Sequence, residues 1–281
     1  VKALHIVHVV GARPNFMKIA PILAACATRP TLRSTLVHTG QHYDGAMSQL
    51  FFDQLRIPRP DVNLEVGSAS HAQQTAGVLQ RFEPVLLAER PDLVVVVGDV
   101  NSTLACSLAA VKLGIPVAHV EAGLRSFDRT MPEEINRVMT DAIAELLFVT
   151  EHSAIANLER EGVDPARIHF VGNVMIDTLL AHRAAAAASD VVERLGVRAG
   201  GYAVLTLHRP ANVDTPDVLR GILEPLSDLA RTMPIVFPVH PRTRSALDAH
   251  GRLLTAGHGI RVVDPLGYLD FVRLMGAARL V

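Results

Sequence analysis

The chain has 281 residues, which at roughly 150 residues per domain corresponds to about two domains. Its residues are 49% hydrophobic and 20% charged, a balance that supports a substantial core and excludes a disordered chain. Aromatic residues make up only 4%, with no Trp, and the net charge is −1 without a basic stripe, which argues against single-stranded nucleic acid, DNA or an anionic membrane as the main partner. Short β-branched runs then alternate with longer periodic segments along the sequence. The runs are Leu4–Val10, Leu32–His38, Leu93–Val97, Val117–Val120, Leu146–Val149, Ile168–Val171, Tyr202–Leu207, Ile235–Val239 and Ile260–Val263. Continuous aliphatic runs suit strands buried on both faces, and the intervening lengths suit helical crossovers. The pattern predicts an α/β protein of two Rossmann-like, doubly wound domains. The division falls near Gly172–Asn173, giving 1–172 and 173–281, with the alanine-rich stretch after His182 just beyond the connection.

Helix starts are marked by Pro14, Pro132 and Pro216, with Asn101, Thr130, Thr150 and Asp214 as caps. The two cysteines, Cys26 and Cys106, sit in apolar helical patterns and read as buried free thiols, with no zinc spacing. No charged-then-apolar leader opens the sequence and no apolar run reaches about 18 residues, so a soluble, cytoplasmic protein is expected.

In open α/β sheets, ligands bind beyond the carboxyl ends of the strands, so the polar residues there are the candidates. After the first strand, Gly11 permits a tight turn, and Arg13 and Lys18 can offer cations to a phosphate at a helix N-terminus. A plain turn with solvated cations is the alternative. Neither a dinucleotide fingerprint nor a P-loop occurs. After Leu93–Val97, Asp99 stands at a strand tip where a carboxylate can give or take a proton. Glu121, wedged between an apolar strand and Ala122-Gly123-Leu124, suits acid–base work if it faces a polar cleft; an internal pair with Arg125 is the alternative. The Pro132–Arg137 segment predicts a helix with Ile135, Val138, Met139, Ala142 and Leu146 in one apolar stripe. Glu133, Asn136, Arg137 and Thr140 lie opposite, with a Thr130–Glu133 capping box and a Glu133–Arg137 ion pair as the structural alternative. In the second half, His208-Arg209 and His240 follow strands and could form an anion-binding wall. No metal-ligand spacing accompanies the histidines, so no metal is expected.

Together, the segments Gly11–Lys18, Thr39–His42, Gly98–Thr103, His119–Arg125, Pro132–Arg137, Val171–Asn173 with Asp177, His208-Arg209 and Val239–Pro241 resemble the non-hydrolysing UDP-N-acetylglucosamine 2-epimerases. They run in the same order over essentially the whole chain. The resemblance implies a GT-B-like pair of domains with substrate between them, reversible conversion of UDP-GlcNAc to UDP-ManNAc through a 2-acetamidoglucal, and no cofactor. It assigns functional acids to Asp99, Glu121 and Glu133. Substrate contacts and supporting catalytic groups fall to Arg13, Lys18, Arg137 and His208. Gln41, His42, Arg209 and His240 fall in a region that binds a second UDP-GlcNAc as activator, and a homodimer serving polysaccharide synthesis is implied. Family members continue past Ala278 into a Ser-Gly-Gly segment and a closing helix, so a shortened form with an incomplete second domain is expected. That departure keeps two alternatives open: a non-catalytic sugar-nucleotide-binding form, and a different UDP-sugar glycosyltransferase.

Overall fold

The computed structural model describes residues 3–41, 45–207, 209–239, 241–250 and 259–281, and the chain packs as two compact units, Val1–Ala181 and His182–Val281. In the first unit seven strands form one parallel sheet: β1 (Leu4–Val10), β2 (Leu32–His38), β3 (Val62–Asn63), β4 (Leu93–Val97), β5 (Val117–Ala122), β6 (Leu146–Val149) and β7 (Ile168–Phe170). Their spatial order is β3-β2-β1-β4-β5-β6-β7. The order reverses between β1 and β4, which makes the carboxyl ends of those two strands the topological switch point.

Seven helices belong wholly or mainly to this unit: α1 (Arg13–Ala27), α2 (Gly45–Gln54), α3 (His71–Glu89), α4 (Asn101–Lys112), α5 (Pro132–Ile143), α6 (His152–Arg160) and α7 (Val174–Ala187). Val78, Phe82 and Leu86, spaced four apart on α3, are fully buried against the sheet. Between α3 and α5, α4 is buried on nearly every side, which its short Ser, Thr, Ala and Cys side chains permit. Both cysteines are free and buried. The packing boundary lies inside α7, because that helix runs on past Gly172–Asn173 without interruption.

The second unit has a three-stranded parallel sheet, β8 (Ala203–Val204), β9 (Ile235–Pro238) and β10 (Ile260–Val263), in the order β10-β9-β8. Around it lie α8 (Val191–Arg194), α9 (Pro210–Val213), α10 (Pro216–Ala230), α11 (Pro241–His250) and α12 (Tyr268–Ala277). Leu219 and Leu223 of α10 pack on Ile235 and Phe237. β8 is shorter than the Tyr202–Leu207 run, since Tyr202 instead buries its ring and donates its hydroxyl to the Leu274 carbonyl at 2.6 Å. Leu280 bridges Ala203 in parallel, as a strand there would.

Two local expectations are corrected. The three prolines do open α1, α5 and α10, yet the residues before those of α4, α5, α6 and α10 are Val100, Met131, Glu151 and Thr215, none with a side-chain cap. Asn101, Thr130 and Thr150 therefore do not cap these helices, and Thr215 stands at the cap position of α10 where the sequence predicts Asp214. In addition, α5 is turned over relative to an ordinary surface helix. Ile135 (46% exposed) and Met139 (45%) face outward, while Glu134, Asn136, Thr140 and Asp141 are buried. The polar face is turned inward because donors and acceptors at the strand ends receive it.

Candidate active site

At the switch point the β1–α1 turn is tied directly to β4. Asn15 Oδ1 accepts hydrogen bonds from the Gly11 and Ala12 amides, both at 3.0 Å, and its Nδ2 donates to the Val97 carbonyl at 3.0 Å. This cross-link fixes α1, whose buried Lys18 forms an ion pair with Glu121 at the end of β5. Glu121 has φ +73°, a left-handed conformation unusual for Glu, at the point where the β5–β6 register shifts. Strain of this kind is held in place by surrounding structure and clusters at functional sites. The Glu121–Arg125 pair is not formed, because Arg125 turns to Asp141 at 2.7 Å and Glu161 at 2.6 Å.

Gly98 turns the chain at the end of β4 with φ +70°, and a Cβ there would lie 2.8 Å from Lys18 Nζ. Glycine takes this conformation without steric cost and leaves Lys18 Nζ its place. Beside it, Asp99 pairs with Arg137 at 2.6 Å, and Asn136 Nδ2 donates to the Asp99 carbonyl at 2.9 Å. Arg137 also grips Glu134 through two nitrogens, at 2.7 and 3.1 Å. The described site is therefore two carboxylate–cation pairs, Glu121 at the end of β5 with Lys18 of α1, and Asp99 after β4 with Arg137 of α5.

Sequence reasoning passed over Glu134, which is almost fully buried and accepts from the Ser126 and Phe127 amides at 3.0 Å each. Burial by itself would raise its pKa, but those amides and Arg137 outweigh it and lower the value from 4.5 to about 2. Because the folded value lies below the unfolded one, this carboxylate contributes stability above the unfolded value and loses it as pH falls toward about 2. The shift corresponds to about 3 kcal/mol. The stability deficit of Glu134→Gln, measured by urea unfolding, should shrink as pH is lowered from neutral toward 3, whereas a constant deficit would contradict the assignment.

Glu133 makes no hydrogen bond or ion pair among the described residues, and the capping box is absent, since Thr130 bonds Asp128 instead. The Glu133–Arg137 pair gives way to Arg137 with Asp99 and Glu134. Arg13, first residue of α1, is half-buried and carries no partner among the described residues. Gln41 is buried, its Oε1 accepting from the Ser102 hydroxyl at 2.7 Å and amide at 3.2 Å, so this side chain anchors the start of α4. Arg209 is exposed on the second unit, while His42, His208 and His240 lie outside the described residues. Among the described residues no three His, Cys, Asp or Glu side chains converge as metal ligands.

The chain is similar to known proteins over nearly all of its length. A family model described as UDP-N-acetylglucosamine 2-epimerase matches residues 24–281. The chain belongs to the UDP-N-acetylglucosamine 2-epimerase family. A UDP-N-acetylglucosamine 2-epimerase of Methanococcus maripaludis is 40% identical over 97% of this chain and 76% of its own length. A UDP-2,3-diacetamido-2,3-dideoxy-D-glucuronate 2-epimerase of Pseudomonas aeruginosa is 42% identical over 99% of this chain and 77% of its own length. Among solved structures, the Methanocaldococcus jannaschii UDP-GlcNAc 2-epimerase, in complex with UDP-GlcNAc and UDP, aligns with TM-score 0.90 and 41% identity. That alignment covers 98% of this chain and 77% of the structure. The α/β fold class expected from the sequence, GT-B-like with two Rossmann-like domains, is the one these epimerases share.

Proposed function

We propose that the protein epimerises C2 of UDP-N-acetylglucosamine, giving UDP-N-acetylmannosamine by elimination and re-addition of UDP. The observation that carries the reading is the pair of ionic couples Glu121–Lys18 and Asp99–Arg137 at the switch point of the sheet. A carboxylate takes the C2 proton as the C1–oxygen bond to UDP breaks, leaving a C1=C2 double bond in the sugar. UDP then adds back at C1 while a proton is delivered to the opposite face of C2. Epimerisation thus needs acid–base groups on two faces, for which Asp99, Glu121 and the unpaired Glu133 are the candidates. Departure of UDP needs cations near the diphosphate, a role suited to Lys18 and to Arg13 at the α1 N-terminus. His208 is proposed as a supporting catalytic group, and Gln41, His42, Arg209 and His240 as members of an activator subsite for a second UDP-GlcNAc.

Turnover of UDP-GlcNAc by the intact protein in deuterated water should place deuterium at C2, read by mass spectrometry. Absence of exchange would sink the proposal, and exchange-free binding would favour the non-catalytic reading. UDP release that depends on an acceptor would favour a glycosyltransferase. The 42% identical relative named for a diacetamido-glucuronate favours a second reading, the same chemistry on that nucleotide sugar. Comparing kcat/KM for the two substrates decides between them.

The reading extends to a cytoplasmic homodimer that supplies N-acetylmannosamine units for polysaccharide synthesis; no helix among the described residues is long and apolar enough to cross a membrane. The outward stripe of Ile135 and Met139 borders a groove of about 380 Å³ lined by Ala72, Ala76, Leu79, Leu104 and Pro132. A stripe and groove on one face allow a self-complementary contact between two copies. Sedimentation should give a dimer, and Ile135→Glu with Met139→Glu should give a monomer; a monomeric wild type contradicts this part.

A further inference from the structure

Beneath the proposed carboxylates lies a buried charge that the reaction scheme does not use. His119, on β5, is fully buried, flanked along the sheet by Val96 of β4 and Leu147 of β6. Its Nδ1 lies 2.6 Å from Asp141 Oδ1 and its Nε2 lies 2.7 Å from the Gly98 carbonyl oxygen. A carboxylate and a carbonyl can only accept, so each ring nitrogen must donate, and the ring carries both protons. Asp141 is itself held ionised. Burial would raise its pKa, but His119 and Arg125 outweigh that and lower it. Its second oxygen accepts from the Gly123 amide at 3.0 Å and pairs with Arg125, which is clamped in turn by Glu161. Asp141 of α5, Arg125 of the β5–α5 loop and Glu161, just after α6, are the charged groups gathered on this side of the ring. On the other side stands the Gly98 carbonyl, just after β4, with Lys18 of α1 against Gly98.

We propose that His119 is a positioning residue, a ring that donates from both nitrogens, pins the Gly98 carbonyl and so fixes the left-handed turn presenting Asp99. Gly98 is the residue against which Lys18 packs, and Asp141 at the same time fixes the Gly123 amide two residues beyond Glu121. One buried cation thus sets the geometry of both ionic couples from below, without touching substrate. The inference rests on the epimerase reading for its activity readout, but its protonation state can be tested without turnover.

In nitrogen-15 histidine spectra of the intact protein at neutral pH, one ring that disappears in His119→Gln should show a proton on both nitrogens. A bare nitrogen on that ring overturns the proposal, whether or not the protein is an epimerase. His119→Gln should lower kcat by about 100-fold, the scale of an ångström-sized misplacement, with KM within about threefold. A His119→Gln protein that is less heat-stable but keeps the wild-type kcat would show a structural role only and overturn the assignment.

Discussion

Glu121→Gln should reduce kcat/KM for UDP-GlcNAc by about 10³-fold, within the range that one positioned acid–base group supplies. The substitution keeps the size of the side chain and removes its charge. It also leaves buried Lys18 without the carboxylate that balances it. Two readouts separate these effects. If Glu121 handles the C2 proton, deuterium exchange at C2 and net epimerisation are lost together, while affinity for UDP changes little. If Glu121 only holds Lys18, UDP binding weakens instead, because the diphosphate cation is displaced. A Glu121→Gln enzyme within tenfold of wild type would remove this residue from the chemistry.

Arg137→Met is expected to have the largest effect on stability. Arg137 is the common partner of Asp99 and Glu134, and its guanidinium is only 12% exposed. Methionine fills much of the same volume but strands two carboxylates, of which Glu134 is nearly dry. Removing one member of a buried ionic cluster costs about 3 to 5 kcal/mol, since the remaining charge has lost its compensation. For a protein of this size that is roughly a 10 °C fall in Tm. The double variant Arg137→Met, Glu134→Gln should recover part of the loss, as it removes the most deeply buried orphan charge. A Tm within 2 °C of wild type for the single variant, in thermal unfolding at neutral pH, would show that water reaches this cluster.

The central strands of the first unit were legible because a strand covered on both faces is mostly aliphatic, as in Leu93–Val97 and most of Leu4–Val10. Leu32–His38 carries the signal only in its buried second half. Val62–Asn63 carried no such signal; it is a two-residue edge strand set among Pro58, Pro60 and charged neighbours. Helix capping was misread because Asn101 and Thr130 are good caps in isolation. Here, however, Asn101 is drawn into a buried network with Gln74, Asn136 and His71. Periodicity on α5 revealed two faces but not which one is inside. That depends on the strand ends it meets, and those come together only in three dimensions. Asn15, Glu134 and Asp141 escaped notice for the same reason. Asn15 reaches Val97 and Asp141 reaches Gly123 across the fold, while Glu134 closes back on the amides of a preceding irregular loop, and nothing in the immediate neighbours marks any of them. Asp99, Glu121, Lys18 and Arg137 were legible because strand tips in this architecture are where polar side chains can reach a ligand.

The inverted helix α5 has a kinetic corollary. An ordinary amphipathic helix gains by collapsing early, since its apolar stripe is welcome against any greasy surface. This one offers the sheet Glu134, Asn136 and Asp141, and desolvating such groups is unfavourable until their partners on β5 and the loops after β4 and β5 are already in register. Docking of α5 therefore follows assembly of the central strands, and the interactions it makes belong to the native side of the folding barrier. Changes there would act mainly on how fast the native state is lost and little on how fast it forms. The last region to lock is the one that carries the charges, so a chain that has collapsed but not finished folding is one without a working site.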